Sequence, residues 1–404
     1  MEFLIASRRE RPGNDPIFAL NAEAKQRIGA GEDVVNATIG ALLDDDGRLA
    51  TMPGVVRALQ EVEPRVGAAY APIPGRPDFR QAVIDDLLTG SPLHEVSVAV
   101  ATPGGSGALR MSMDDFLEPG QTALTGSYYW GPYRTLADES GRRLTTFEMF
   151  GDDGRFDVAA LDRSLGEVMA EQGRCLLILN TPCHNPTGYS LDAAEWAATQ
   201  DVLRRHARSG PLVVLLDVAY AYYAEEALEV AVRALHGVAD EVLVLFAWSA
   251  SKSFAQYGLR IGALVASVPD AGQRQAVNNA MTYSCRGLWS NCNAGGQAAI
   301  ARVLTDAALR QQVNVERAGL VAMLARRVDT WNELAGDKPH IVYPRYQGGF
   351  FTTVFCDDPQ EKAAALRERG IYVIPTRGAL RVAMCAVNDQ QIARIVSGLD
   401  DVFT

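Results

Sequence analysis

From about residue 95 to residue 267, short apolar runs alternate with helical patterns. The runs cover 95–101, 121–125, 143–147, 175–179, 211–216, 241–247 and 262–267. Two of them, 175–179 and 211–216, are apolar without alternation, as expected for parallel strands covered on both faces. Between these two, 192–209 has a helical pattern, with Ser190 as its expected cap and Gly210 as its stop. Strand and helix in alternation predict an α/β domain built on a mostly parallel sheet.

The pattern then changes. Leu309, Val313, Leu320, Leu324, Val328, Trp331 and Leu334 recur at helical spacing over 306–335, and the run stops at Gly336. A helix of that length leads out of the large domain. Beyond it, 348–356, 371–374 and 380–386 read as strands of a smaller α+β domain, closed by a helix over 388–399. The first 50 residues, with a helix near 19–29, are expected to join that smaller domain. The expected division is an N-terminal segment (1–50) packing with the small domain, a large domain (51–305), and a linking helix with the C-terminal small domain (306–404). At about 150 residues per domain, a chain of 404 residues suits this division.

Composition narrows the classes. Lys and Arg number 38 against 49 Asp and Glu, and a net charge of −11 argues against a nucleic-acid partner. No apolar run reaches the ~20 residues of a membrane span, and the N-terminus lacks the charge order of a signal peptide. The six cysteines form no C-x-x-C pair and no metal-ligand spacing, so a reducing cytoplasm and no bound metal are expected.

In open α/β sheets, ligands bind outside the carboxyl ends of the strands, so the residues that follow each run are the informative ones. Those residues are Thr102-Pro-Gly-Gly-Ser-Gly107, Gly126-Ser-Tyr-Tyr-Trp130, Asn180-Thr-Pro-Cys-His-Asn185-Pro-Thr-Gly188, Asp217-Val-Ala-Tyr220 and Ser249-Ala-Ser-Lys252, with Arg260 eight residues on. Gly104–Gly107 reads either as a phosphate cradle on a helix N-terminus or as a plain tight turn. It is neither a dinucleotide fingerprint, because Arg110 stands at the third glycine, nor a nucleophile elbow, because Ala108 stands at the last position. Asp217 closes an apolar run, where a carboxylate must be paired or must cap a helix. Trp130 is either a core residue or a plate for a flat ligand.

Lysine usage sharpens the search. Only four of the 38 cations are lysines: Lys25, Lys252, Lys338 and Lys362. Three fall on polar helix faces or in a turn, whereas Lys252 lies among Ser, Ala and Phe. Lysine, unlike arginine, can lose its proton and form an imine; the competing reading of Lys252 is a solvated surface cation. Together, an imine-forming lysine, an aspartate for a ring nitrogen, a phosphate cradle and an aromatic plate make up a pyridoxal phosphate site.

At these residues the chain resembles the fold-type-I pyridoxal-phosphate aminotransferases, class I, the aspartate/aromatic group. The likeness is collinear from Asp15-Pro-Ile17 to Arg381 and rests on Asn185-Pro-Thr-Gly188, Asp217-x-Ala-Tyr220 and Ser249-x-Ser-Lys252. It implies a large domain whose mostly parallel seven-stranded sheet is sandwiched by helices, plus a smaller α+β domain from both termini. By the same resemblance, Lys252 is the Schiff-base lysine and proton shuttle, Asp217 keeps the pyridine nitrogen protonated, and Tyr220 and Asn185 bond the cofactor's 3′ oxygen. Gly105, Ser106, Ser249 and Arg260 correspond to the phosphate cradle and Trp130 to the stacked ring. Tyr70 corresponds to a tyrosine that reaches a neighbouring subunit's cofactor, so a homodimer with shared sites is implied.

For substrate, Arg381 corresponds to the α-carboxylate clamp, with Gly40 beside it, and Trp130 and Asn185 also face the substrate. Arg286 corresponds to the arginine that the partner offers to a side-chain carboxylate. The implied reaction moves an amino group between glutamate/2-oxoglutarate and aspartate or an aromatic amino acid. The sequence departs from the family pattern at Gly104, where a cradle serine is usual, at Pro132-Tyr133, where Asn-His is common, and at Ala383, two beyond Arg381. Competing readings are a lyase, decarboxylase or synthase on the same fold, a serine hydrolase using Ser106, Asp217 and His236 or His340, and a catalytically idle regulator.

Overall fold

The computed structural model describes residues 3–13 and 15–404. Its first strand, β1 (Val35–Asn36), is followed by seven that form one sheet: β2 (Ser97–Pro103), β3 (Thr122–Gly126), β4 (Arg143–Phe147), β5 (Cys175–Asn180), β6 (Leu212–Asp217), β7 (Leu243–Ser249) and β8 (Ile261–Ser267). The strand order is β2-β8-β7-β6-β5-β3-β4. Six strands run one way, and β8 runs antiparallel to both its neighbours, β2 and β7. The carboxyl ends of six strands and the amino end of β8 therefore share one edge.

The non-alternating runs behave as their composition requires. Every residue of β5 and β6 is buried. Successive side chains enter different cores: Leu177, Leu179, Val214 and Leu216 join one apolar cluster, while Leu176, Ile178, Val213 and Leu215 join another on the opposite face. Helices cover both faces, as a sheet without a wet side demands.

A third cluster combines both ends of the chain. Val35, Ala37 and Leu42 pack with Leu324, Val328, Trp331, Phe350, Val382, Ile392 and Leu399. Here β1 pairs in parallel with β10 (Ile371–Tyr372), and β9 (Phe351–Phe355), β11 (Ile374–Thr376) and β12 (Ala379–Ala383) form a separate antiparallel sheet. Tyr220 and Cys183, from loops at the functional edge of the large sheet, join the same cluster. The helix Ala307–Gly336, capped by Asp306, links the two regions.

The structure corrects several expected boundaries. Three strands of the large sheet extend past their apolar runs to include Asn180, Asp217 and Ser249, because the ladder continues through polar residues that the hydrophobic pattern excludes. The helix Ala193–Ala207 is capped by Asp192 in a reciprocal box with Glu195, not by Ser190. The Ser190 hydroxyl instead accepts from the Cys183 N–H at 3.0 Å. The run 371–374 is divided between two sheets at Val373, and 380–386 ends as a short 3₁₀ turn, Met384–Ala386. Among the described residues no helix is long and apolar enough to cross a membrane.

Candidate active site

The shared edge of the large sheet holds a cavity of about 140 Å³. Nine of the ten residues that the sequence assigns to cofactor binding line it: Gly105, Ser106, Trp130, Asn185, Asp217, Tyr220, Ser249, Lys252 and Arg260. Each follows or ends a strand, except Arg260, which immediately precedes the reversed strand β8. Strand direction thus explains why Arg260 returns to the same edge only eight residues after Lys252. The connecting backbone turns sharply, with positive φ at Ala255 (51°) and at Arg260 (57°).

At one end of the cavity, β2 runs directly into the helix Gly104–Phe116, so the free N–H groups of a helix N-terminus face the site. Gly104 has a φ of 71°, and a Cβ built on it would lie 2.4 Å from Arg260 Nη2. The missing side chain is what lets the guanidinium occupy this corner, which explains the departure from a cradle serine. Arg260 donates to the Ser251 hydroxyl at 3.3 Å and to the Tyr257 carbonyl at 2.9 Å. Ser106, Ser249 and Ser251 add hydroxyls around it. Helix N–H groups, hydroxyls and an arginine fork suit a phosphate dianion.

A hydrogen-bonded chain of side chains occupies the rest of the cavity wall. Asn180, the last residue of β5, accepts from the Asn185 N–H at 2.7 Å and donates to the Asp217 carbonyl at 2.9 Å. Asn185 donates to the Tyr220 hydroxyl at 3.2 Å. The Tyr220 ring lies 5.3 Å from Lys252 Nζ. Loss of water pulls the Lys252 amine below the usual lysine range, a shift that Asp217 opposes and Arg260 assists.

Asp217 is buried, and burial pushes its carboxyl above the ordinary range. The Tyr133 hydroxyl donates to Oδ2 at 2.7 Å, the Ala219 N–H donates to Oδ1 at 3.1 Å, and the Lys252 charge also favours the ionised form. The wall therefore combines a carboxylate, a lysine of lowered basicity and a phosphate-sized polar corner. A phosphorylated, nitrogen-containing aromatic ring fits this donor set.

Arg381, from β12, is buried behind Tyr220. It donates to the Thr38 carbonyl at 2.5 Å, stacks on Phe351 at 4.6 Å, and leaves Nε without a partner. Phe351 in turn meets Tyr220 edge-on at 6.0 Å. Gly40 lies against that phenyl ring, where a Cβ would come within 2.6 Å of Phe351 Cζ. A desolvated guanidinium with an unused donor is suited to a carboxylate ligand.

Two sequence-predicted residues lie apart from this assembly. Tyr70 is 91% exposed, and Arg286 is exposed with a bond to the Ser290 hydroxyl at 2.7 Å; neither lines the cavity. The hydrolase grouping does not assemble either. Ser106 and Asp217 line the cavity, but His340 pairs with Asp400 at 2.8 Å and His236 borders a different cavity. His184 is buried beside Thr187, and loss of water pushes it down to about 3, leaving it neutral.

Sequence reasoning missed Asn180, Ser251 and Tyr133. For Asn180 and Ser251 a signal existed, since one ends an apolar run and the other lies between two assigned residues. Tyr133 carried only the signal of a departure from pattern.

Comparisons with known proteins show the family and the fold. The family model for aminotransferases of class I and II matches residues 32–399. A tyrosine aminotransferase of Klebsiella pneumoniae is 29% identical, over 94% of this chain and 96% of its own length. A crystal structure of an aminotransferase from Anaerococcus prevotii superimposes with a TM-score of 0.93 at 30% identity, covering 100% of both chains. An aromatic-amino-acid aminotransferase from Burkholderia pseudomallei, described as covalently bound to pyridoxal phosphate, has a TM-score of 0.84 at 26% identity, again with full coverage of both. This chain belongs to the class I and II aminotransferases.

Proposed function

We propose that this chain is a cytoplasmic, homodimeric, pyridoxal-phosphate-dependent aminotransferase. It exchanges an amino group between glutamate/2-oxoglutarate and a second amino acid, aspartate or aromatic. The observation that carries the reading is the convergence of Lys252, Asp217, Asn185, Tyr220, Ser106, Ser249 and Arg260 on one cavity, with Arg381 behind Tyr220. When bound, pyridoxal phosphate supplies an electron sink for charge released at the substrate carbon. Ser106, Ser249, Arg260 and the helix N–H groups would hold its phosphate, and Asp217 would hold a proton at its ring nitrogen. Tyr220 and Asn185 would hydrogen-bond the ring oxygen, and Trp130 would cover the ring face. Lys252 would hold the cofactor through its carbonyl carbon and would move a proton to and from the substrate carbon, a task suited to a lysine of lowered basicity. Arg381 fixes the substrate's α-carboxylate.

The exposure of Tyr70 and Arg286 supports the dimer reading, in which each completes a neighbour's site. The division 1–50, 51–305 and 306–404 belongs to the same proposal, with the site between the large body and the segment that carries Arg381.

Purified protein is expected to be yellow, and borohydride reduction is expected to fix the chromophore on Lys252, as read by peptide mass. Incubation with an amino donor should yield the matching keto acid. A colourless protein that takes up no pyridoxal phosphate overturns the cofactor, and ammonia or carbon dioxide in place of keto acid overturns the reaction. Arg286→Ala is expected to lower kcat/KM for dicarboxylates about 10- to 100-fold, the value of a charge-assisted bond. Aromatic substrates should change far less in the same variant; equal losses would take Arg286 out of the pocket.

A further inference from the structure

Tyr133 has no role in the reading above, yet it is the only side chain hydrogen-bonded to the Asp217 carboxylate among the described residues. It is completely buried, at the first turn of the helix Pro132–Glu139. Its N–H closes a turn on the Trp130 carbonyl at 2.9 Å, which fixes the approach of the ring. The Trp130 ring meets it edge-on at 5.8 Å, and Tyr129 stacks on it at 6.4 Å. One ring thus touches the aromatic plate of the cavity while its hydroxyl reaches the carboxylate opposite the phosphate corner.

We propose that Tyr133 is a positioning residue of the active site, which acts through Asp217 by fixing one carboxylate oxygen and keeping the carboxylate charged toward the cofactor's ring nitrogen. The inference rests on the pyridoxal phosphate reading and deepens it. With Oδ2 held by Tyr133 and Oδ1 held by the Ala219 N–H, the carboxylate plane cannot rotate freely in the cavity. Both bonds favour the charged carboxylate against the burial that disfavours it. The ionisable groups facing Asp217 are Tyr133 from this helix, Tyr220 from the turn after β6, and Lys252 from the turn after β7. Burial and the neighbouring carboxylate push the Tyr133 phenol well above its ordinary range, so it remains a donor wherever the enzyme works. A histidine at this position would change its charge near neutral pH; a phenol does not.

The test uses the holoenzyme and Tyr133→Phe, which removes one oxygen and leaves the ring contacts in place. Expected results are a fall in kcat of about tenfold with a much smaller change in KM, weaker retention of pyridoxal phosphate, and a displaced pH midpoint for the bound cofactor's visible absorption. Tyr133→His, which keeps a donor but titrates near neutral pH, should add to the spectral titration a step near the imidazole range that wild type lacks. In an Asp217→Asn background, Tyr133→Phe should have little further effect, because the group it acts through is already altered. An unmoved spectrum and an unchanged kcat in Tyr133→Phe overturn the inference, as does an equal loss with and without Asp217. If Tyr133→Phe does not fold, Tyr133→His decides: a new step near the imidazole range in the spectral titration upholds the coupling through Asp217, and a titration identical to wild type overturns it. A wild-type protein that binds no pyridoxal phosphate removes the cofactor reading itself, whereas a wild-type chromophore that Tyr133→Phe leaves unmoved removes only the role of Tyr133.

Discussion

Lys252→Ala is expected to lower steady-state transamination by about 10⁴-fold or more, the largest effect of any single substitution in this chain. In the proposed function two tasks vanish together, because the same amine would bind the cofactor and move the proton at the substrate carbon. Arginine cannot replace it, since a guanidinium neither forms an imine nor gives up its proton in a protein. The phosphate corner does not depend on the amine: the contacts of Arg260 are to Ser251 and to the Tyr257 carbonyl. The variant should therefore still take up pyridoxal phosphate, without the chromophore that survives borohydride. The check is a single-turnover assay with cofactor and amino acid premixed, run beside a measurement of cofactor retention. Turnover near wild type would exclude Lys252 as the base.

Asp217→Asn is expected to cost about 10²–10³-fold in kcat. The amide has nearly the shape of the carboxylate: its oxygen can still accept from the Ala219 N–H, and its NH2, in place of Oδ2, can donate to the Tyr133 hydroxyl, so packing should survive. What disappears is the negative charge proposed to face the ring nitrogen. Lys252 should respond as well, because the Asp217 charge favours its ammonium form. Removing that charge lowers the lysine's proton affinity further, and the pH midpoint of the free amine in the cofactor-free protein should move down. A pH titration of Lys252 modification in both proteins reads this directly. Unchanged kcat together with an unchanged lysine midpoint would place Asp217 outside the reaction.

Much of this was legible in the sequence, and the reason is physical. Strands covered on both faces must be apolar throughout, so 175–179 and 211–216 marked the sheet's centre, and the polar residues behind them marked its functional edge. Lys252 stood out because the chain otherwise writes its cations as arginine. Tyr133 was not legible, because an aromatic residue in Tyr-Tyr-Trp-Gly-Pro-Tyr is indistinguishable from core packing until its hydroxyl is seen to reach a residue 84 positions away. The reversal of β8 was equally hidden, since a single strand does not declare its direction. Arg381 and its partner Thr38 lie 343 residues apart, a pairing that only the folded chain brings about. Ser190 was assigned as a cap by proximity, whereas the reciprocal bond with Glu195 made Asp192 the better one.

The tight connection between Lys252 and β8 has a consequence for how this protein can change. Phe254, buried against Trp248 at 6.0 Å, and the left-handed turn at Ala255 hold the connection to the large-sheet core. One short segment thus sets the spacing between the reactive amine and the arginine of the phosphate corner. A residue inserted or deleted there would alter the distance between the two ends of the ligand, which no side-chain change elsewhere could restore. Arg286, exposed at the C-terminal end of the helix Ala271–Leu288, is free of that constraint. An exposed side chain of that kind can be exchanged without strain, while the length of the connection from Lys252 to Arg260 stays locked.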